Sequence, residues 1–204
     1  AAIAPYPKMF AVFEEAGNWL DRLGIRGAGA LNDAIAAGRL PEVCLVAEAL
    51  HEARIAHIAS DIAEAGERIV LVFIAGPSSS GKTTFSKRLG VQLLANGRRP
   101  VPIQLDDYFV DRELTPRDAN GQYDFEGLGA VNLPLFDEHL KRLMKGEAVQ
   151  LPRYSFVTGR SEPGHVVSLG HDNVVIVEGI HGLNPALVPG VPAERVYRVY
   201  VSAL

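Results

Sequence analysis

The sequence has one cysteine, no excess of basic residues and no long apolar run, and each of these shortages excludes a class of protein. Because Cys44 is alone among 204 residues, no internal disulfide can form, which fits a reducing compartment and predicts a cytoplasmic protein. The net charge of −4 lacks the positive excess that binds nucleic-acid backbones. The longest apolar run, residues 69–75, is far shorter than the roughly 20 residues of a membrane helix, and no signal segment opens the chain. We expect a soluble protein that binds neither nucleic acid nor membrane.

The length and the 48% hydrophobic content allow one sizeable core and a small appendage. The first residue is Ala1 instead of methionine, and the last residues, up to Leu204, follow a strand pattern instead of a polar tail. We therefore expect both ends to be cuts in a longer protein.

Residues 1–66 are expected to form an α-helical leader. Alanine-rich stretches are interrupted at 24–29 and 38–41 by glycine and proline, the residues that end helices. Beyond the second interruption, apolar residues recur at three-to-four spacing up to Ile62, which predicts one helix with an apolar face. Cys44 lies in this helix, where we expect it to be buried as a small hydrophobe.

Residues 67–204 are predicted to form an α/β domain with a mostly parallel sheet and crossover helices, because short apolar runs alternate with helical segments. The predicted strands are residues 69–75, 101–105, 174–177 and 195–202, and the predicted helices are 82–95 and 133–145. Two alternating runs, 149–156 and 165–169, flank the turn-prone segments Thr158-Gly159-Arg160 and Pro163-Gly164, and they predict a β-hairpin insertion.

The segment 76–84, Gly-Pro-Ser-Ser-Ser-Gly-Lys-Thr-Thr, has the spacing of a phosphate-binding P-loop between a strand and a helix. Its glycines let the backbone approach phosphates closely, so that successive amides and the helix N-terminus face the anion. Lys82 is expected to hold the β- and γ-phosphates of ATP, and the Thr83 hydroxyl to ligate Mg²⁺. The predicted nucleotide-binding residues are Gly76, Ser79, Ser80, Gly81, Lys82, Thr83 and Thr84.

A P-loop predicts a bound nucleotide but leaves the reaction open. The Asn-Lys-x-Asp motif with which GTPases read guanine is absent from the sequence. A kinase needs an acid near the γ-phosphate, and Asp106 and Asp107 directly follow a predicted strand, where ligands gather in open α/β sheets. Either could take a proton from an acceptor hydroxyl, hold the metal, or only cap a turn. Glu178 ends another apolar strand and is interpreted as a Mg²⁺ ligand, with a solvated residue at a strand end as the alternative. Nearby His181 is interpreted as a loop histidine whose hydrogen bonds are satisfied.

With four further motifs, these residues resemble the uridine kinase and phosphoribulokinase family of P-loop kinases over residues 69–204. The motifs are Leu105-Asp106-Asp107-Tyr108-Phe109, Tyr123-Asp124-Phe125-Glu126, Leu151-Pro152-Arg153-Tyr154-Ser155-Phe156 and Val177-Glu178-Gly179-Ile180. The resemblance implies that Asp106 is the catalytic base and a metal ligand, acting with Lys82. It also implies an acceptor site with Tyr108, with Phe125 and Glu126 holding a nucleoside sugar, and with Tyr154 stacking on the base.

The chain departs from the family at three places. Glu126 stands where the family has Asp, and Gly159 stands where it has a histidine that reads the pyrimidine. The arginine-rich lid and last strand that follow in the family are not found up to Leu204, so we expect an incomplete kinase domain. The leader is similar to the segment that joins a synthetase-like region to the kinase in longer relatives.

The function predicted from the sequence is ATP- and Mg²⁺-dependent phosphoryl transfer to a hydroxyl of a small molecule, with a nucleoside such as uridine as the first candidate. Two alternatives stay open: a kinase for a sugar phosphate or a pantothenate-like compound, and an ATP-binding regulatory module without catalysis. Association of copies into a homo-oligomer is also left open.

Overall fold

The computed structural model describes residues 7–202, and its contacts divide the chain into two units, with the boundary between Arg54 and Ile55. The first unit is helical, as predicted. It contains α1 (Pro7–Leu23), α2 (Ala28–Ala36) and the beginning of α3 (Leu40–Glu64). Both turns between the helices use a glycine with positive φ, Gly24 and Gly38, as the interruptions in the sequence indicate.

Helix α3 differs from the prediction at Cys44, which is exposed. Its neighbour Val43 is buried with Ile25 and Ala34 in the small core of the first unit. Successive residues of a helix point about 100° apart, so burial of Val43 turns Cys44 toward solvent. The expectation of a buried cysteine was wrong for that reason.

The second unit is built on a four-stranded, all-parallel sheet in the order β2-β5-β1-β6. The strands are β1 (Leu71–Ala75), β2 (Arg99–Gln104), β5 (Asn173–Glu178) and β6 (Val196–Tyr200). Helices α4 (Lys82–Ala95) and α5 (Leu133–Met144) form the crossovers. All four strands and both helices were predicted, with ends within a few residues of those observed.

Successive side chains of each strand point to opposite faces of the sheet, so a hydrophobic core forms on each face. Phe73 and Val177 point to the face covered by α5, while Ile74 and Ile176 point to the face covered by α4. On this second face Ile55, Ala59 and Ile62 of α3 are completely buried. The sheet is therefore covered on both sides, and its functional groups gather at the carboxyl ends of the strands.

The predicted hairpin is present as β3 (Val149–Ser155) and β4 (Arg160–Val167), paired antiparallel. Its turn contains Gly159 with φ +70, as expected. The second turn expected at Pro163-Gly164 is wrong, because both residues lie inside β4. A Cβ on Gly164 would lie 2.7 Å from the carbonyl oxygen of Leu151, so glycine here permits a close strand approach and not a turn.

Among the described residues, no helix combines the length and the apolar character that crossing a membrane requires.

Candidate active site

The P-loop connects the end of β1 to the start of α4, and its backbone is shaped to present amides to an anion. Ser79 has φ 59 and Gly81 has φ 88, so two left-handed residues turn the chain just before the helix begins at Lys82. The Ser80 hydroxyl is buried without a hydrogen-bond partner. Positive-φ turns at a helix N-terminus form concave sites for anions. The loop thus fits the phosphates of a nucleotide.

Gly76 is required at the start of the loop by close packing. An ideal Cβ at this position would lie 2.0 Å from the backbone oxygen of Val201 and 2.8 Å from Oγ of Ser80. The chain following β6 is held here because the Val201 amide donates to the oxygen of Ala75 at 2.7 Å. Any side chain at Gly76 would therefore push the P-loop and the end of the sheet apart.

The side chains of Lys82 and Thr83 each donate a hydrogen bond to another group of the site. The Lys82 ammonium donates to the backbone oxygen of Pro77 at 2.7 Å, so it lies folded over its own loop. The Thr83 hydroxyl donates a hydrogen bond to the Glu178 carboxylate at the end of β5. Thr84 follows on the exposed first turn of α4. The predicted Mg²⁺ ligands Thr83 and Glu178 are thus adjacent in space.

A cavity of about 250 Å³, which we call the phosphate cavity, lies beside the loop and brings together five of the predicted site residues. It is lined by Ser79, Lys82, Thr83, Gln104, Asp106 and Glu178, among others. In the described part of the chain, no cluster of three or more His, Cys, Asp or Glu side chains could hold a metal by itself. Magnesium ions commonly use one or two carboxylates together with substrate phosphates, and the oxygen atoms of Thr83 and Glu178 fit that pattern.

Asp106 lines this cavity and lies in the short helical turn that follows β2. Partial burial raises the pKa of its carboxyl above the ordinary value of 3.8, Lys82 opposes the rise, and Glu178 adds to it. A positive charge on His181 also lowers this pKa, which puts His181 within electrostatic reach of Asp106. Contrary to expectation, the ring is not satisfied, because its Nε2 is buried without a hydrogen-bond partner.

Asp107 points to a different place from Asp106. Its Oδ1 accepts a hydrogen bond from the Tyr154 amide at 3.2 Å, and it lines a larger cavity of about 700 Å³ between β2 and the hairpin. Burial raises the pKa of its carboxyl, against the Tyr154 hydrogen bond and the charges of Arg153 and His165. The two neighbouring carboxylates therefore line different cavities, and of the two only Asp106 lines the phosphate cavity.

Four rings form what we call the aromatic cluster: Phe109, Phe125, Tyr154 and Phe156. The Tyr154 ring lies 5.6 Å from that of Phe109 and 5.0 Å from that of Phe156. Its hydroxyl is buried without a hydrogen-bond partner, whereas 59% of Phe156 is exposed. The structure thus brings together two of the predicted acceptor residues, Phe125 and Tyr154.

The other two predicted acceptor residues are Tyr108 and Glu126. Tyr108 is 1% exposed, and its hydroxyl is hydrogen-bonded to Nδ1 of His139 on α5 at 3.1 Å. Burial raises the pKa of Tyr108 and lowers that of His139, so both are neutral core groups. Tyr108 packs in the core and also lines the larger cavity with Asp107, and its role in the acceptor site stays a prediction. Glu126 is exposed, and its amide donates to Oδ1 of Asp124.

Sequence reasoning missed Gln104 and Arg112. Gln104 ends β2 and lines both cavities, so it lies between the phosphate cavity and the hairpin. Arg112 lies against the hairpin turn at Gly159. The position of Gln104 at a strand end was a signal that could have identified it, whereas nothing in the local sequence identifies Arg112.

The parallel sheet, the P-loop at its carboxyl edge and the acids on the neighbouring strands define an α/β protein of the P-loop nucleotide-binding class. The sequence profile described as "Phosphoribulokinase / Uridine kinase family" matches residues 71–201, and the chain belongs to this family. The resemblance seen in the motifs is thereby confirmed.

Curated relatives agree with this assignment, and a solved structure shares the fold. The chain is 31% identical over 113 residues to a uridine kinase of Vibrio vulnificus (strain YJ016), which covers 54% of the chain and 53% of that protein. It is 30% identical over 115 residues to a uridine kinase of Halalkalibacterium halodurans, covering 56% and 53%. The chain thus spans about half the length of the curated relatives it matches. A structure described as "a Possible Uridine Kinase from Bacillus stearothermophilus" shares the fold, with a TM-score of 0.56, 23% identity, and 72% and 78% coverage.

Proposed function

We propose that the protein transfers the γ-phosphoryl group of ATP, with Mg²⁺, to a hydroxyl of a small molecule, and that this molecule is a nucleoside. One observation carries the proposal: Asp106 shares the phosphate cavity with Lys82, Thr83 and Glu178. Family membership supports the same reaction class. A carboxylate facing a phosphate cradle is the arrangement that hydroxyl phosphorylation needs.

In this proposal the P-loop amides and Lys82 bind the triphosphate. Lys82 leaves the Pro77 oxygen to reach the β- and γ-phosphates, as a flexible lysine can. Thr83 and Glu178 would hold Mg²⁺, which would neutralise charge between the phosphates. The amides of Ser79, Ser80 and the first turn of α4 complete the cradle.

Asp106 acts as the base. The oxygen of the acceptor hydroxyl forms a bond to the γ-phosphorus, the bond from that phosphorus to the bridging oxygen breaks, and ADP leaves with the bond's electron pair. The hydroxyl proton passes to the Asp106 carboxylate. Because partial burial raises the pKa of Asp106, its carboxylate is a stronger base than that of an ordinary aspartate.

A nucleoside is proposed because of the aromatic cluster. Bases stack on aromatic side chains, and the ring of Phe125 lies 6.3 Å from the ring of Tyr154 in β3 of the hairpin. Glu126 follows Phe125 on the surface and would bind sugar hydroxyls. We also propose that residues 67–204 act as the kinase domain behind a helical leader of residues 1–66, in the cytoplasm.

The test compares Asp106→Asn with Asp107→Asn as a matched pair. ADP release is measured with ATP, Mg²⁺ and a panel of nucleosides, sugar phosphates and pantothenate-like compounds, and ATP affinity by calorimetry. We expect Asp106→Asn to lower kcat by about 100- to 10,000-fold with ATP binding retained. Asp107→Asn should keep kcat within about tenfold and mainly raise the acceptor KM, because Asp107 supports the Tyr154 backbone.

Near-normal turnover by Asp106→Asn would show that another group is the base. If every acceptor is inert while ATP binds tightly, the regulatory alternative replaces the kinase proposal. Turnover with sugar phosphates alone would retain the kinase but remove the nucleoside.

A further inference from the structure

Arg112 is fixed at the hairpin turn by its backbone and its side chain. Its amide donates to the Gly159 oxygen at 2.8 Å, and Nη2 donates to the Phe156 oxygen at 2.5 Å. An ideal Cβ on Gly159 would lie 2.8 Å from Cζ and 2.9 Å from Nε of Arg112. The guanidinium thus occupies the space that a side chain at position 159 would take.

Most of the hydrogen-bonding capacity of this guanidinium is unused. A guanidinium has five N–H donors and no acceptor, and within residues 7–202 its side chain donates only to the Phe156 carbonyl and forms no ion pair with a carboxylate. The neighbouring acid, Asp111, instead accepts the Ser161 amide at 2.9 Å. A half-buried cation with free donors in a fixed plane is suited to a ligand edge that carries two acceptors side by side.

The aromatic cluster lies next to these donors. Phe156, whose carbonyl holds Arg112, packs its ring 5.0 Å from Tyr154 and 6.2 Å from Phe109. Gly159 adds no side chain to this corner, and the Arg112 side chain lies in the space beside it. Aromatic faces favour the binding of a flat ring, and the guanidinium favours a ring whose edge carries two hydrogen-bond acceptors side by side.

Among the common bases, the 6-oxopurines have two adjacent acceptors, O6 and N7, which arginine binds with two hydrogen bonds. Adenine pairs N7 with an amino donor, uracil offers one carbonyl at the corresponding edge, and cytosine offers an amino donor. We infer that Arg112 is a specificity-determining residue and that the acceptor is a 6-oxopurine nucleoside, such as inosine or guanosine. This inference rests on the proposed nucleoside site.

The first test varies the ligand, so it needs no variant protein. Binding of inosine, adenosine, uridine and 7-deazainosine, which lacks the N7 acceptor, is measured by calorimetry. Inosine should bind about 5- to 150-fold more tightly than adenosine, the range for one two-bond contact with a base. The 7-deaza analogue should lose a large part of that advantage.

The second test changes Arg112. A glutamine amide donates once and accepts once, which matches the adenine edge, so Arg112→Gln should bind adenosine in preference to inosine. Arg112→Lys keeps the charge but loses the fixed pair of donors, so its preference for inosine over adenosine should be smaller than that of the wild type. Arg99→Gln is the matched control, because Arg99 is exposed at the opposite end of β2 and should leave the preference unchanged. Melting temperatures verify that each variant folds.

Equal affinity for inosine and adenosine, or no nucleoside binding, would overturn the inference. Arg112-dependent binding of phosphate- or carboxylate-bearing compounds in place of nucleosides would also overturn it, because the guanidinium would then serve an oxyanion. Arg112-dependent binding of inosine without ADP release would keep the inference and reject the proposed phosphoryl transfer.

Discussion

Replacing Gly76 by alanine should force a movement of about 1 Å at the start of the P-loop. The new Cβ would lie 2.0 Å from the Val201 oxygen, whereas real Cβ atoms essentially never approach a heavy atom closer than 3.0 Å. The obstacle is a backbone carbonyl held by the hydrogen bond from Val201 to Ala75, so it cannot rotate away as a side chain could. Either the end of β6 or the phosphate loop must shift.

Both movements have measurable consequences. Overpacking of this kind costs about 1–3 kcal/mol of the free energy of unfolding. Displacement of the loop amides by 1 Å should weaken nucleotide binding by up to about 100-fold, since groups that bind phosphates act only at hydrogen-bond distance. We therefore expect Gly76→Ala to melt at a lower temperature and to bind ATP poorly.

Thermal melting and calorimetric titration with ATP and Mg²⁺ measure the two effects separately. Gly90→Ala is the control, because Gly90 lies in α4 and its Cβ would meet Pro100 at an ordinary 3.4 Å. Alanine is favoured over glycine inside helices by about 1 kcal/mol, so this variant should keep or gain stability and bind ATP normally. Wild-type ATP affinity and melting temperature in Gly76→Ala would refute the steric reasoning.

Three further predictions follow from the structure. Asp106→Asn should raise the melting temperature at pH 7.5, because burial raises the pKa of Asp106 in the folded state and makes its ionised carboxylate costly. In a pH series, this gain over the wild type should shrink as the pH falls through the folded-state pKa toward 3.8. Arg98→Met should lower the free energy of unfolding in urea by about 2–5 kcal/mol, because the buried guanidinium donates to four backbone carbonyls. Gly159→Ala should weaken acceptor binding more than Gly146→Ala, measured as acceptor KM, because both positions have positive φ but only the first displaces Arg112.

The features predicted correctly from the sequence depend on residues close together in the chain. The P-loop has a fixed spacing of glycines and lysine, and each strand of the sheet is a short apolar run bounded by turn residues. Parallel topology then places the ends of β2 and β5 side by side. That is why Asp106 and Glu178, which are far apart in sequence, could both be expected near Lys82.

The features that were missed depend on partners distant in sequence. The side chain of Tyr108 lies in the core because its hydroxyl is hydrogen-bonded to His139, a residue of α5. Arg112 gains its position from the hairpin turn at Gly159. Local patterns carry no information about such pairs, and a resemblance transfers residue positions without the packing around them.

The proline residues of β2 limit how the sheet can grow. Because the Arg99 amide donates toward β5, the alternate positions Pro100 and Pro102 face the open edge of the described sheet. Proline has no N–H, so two of the donors that an added strand would need are missing. The β2 edge beside the larger cavity is therefore protected from strand-to-strand aggregation. A ligand that enters this cavity meets carbonyl oxygens and proline rings at positions 100 and 102 instead of a row of amides.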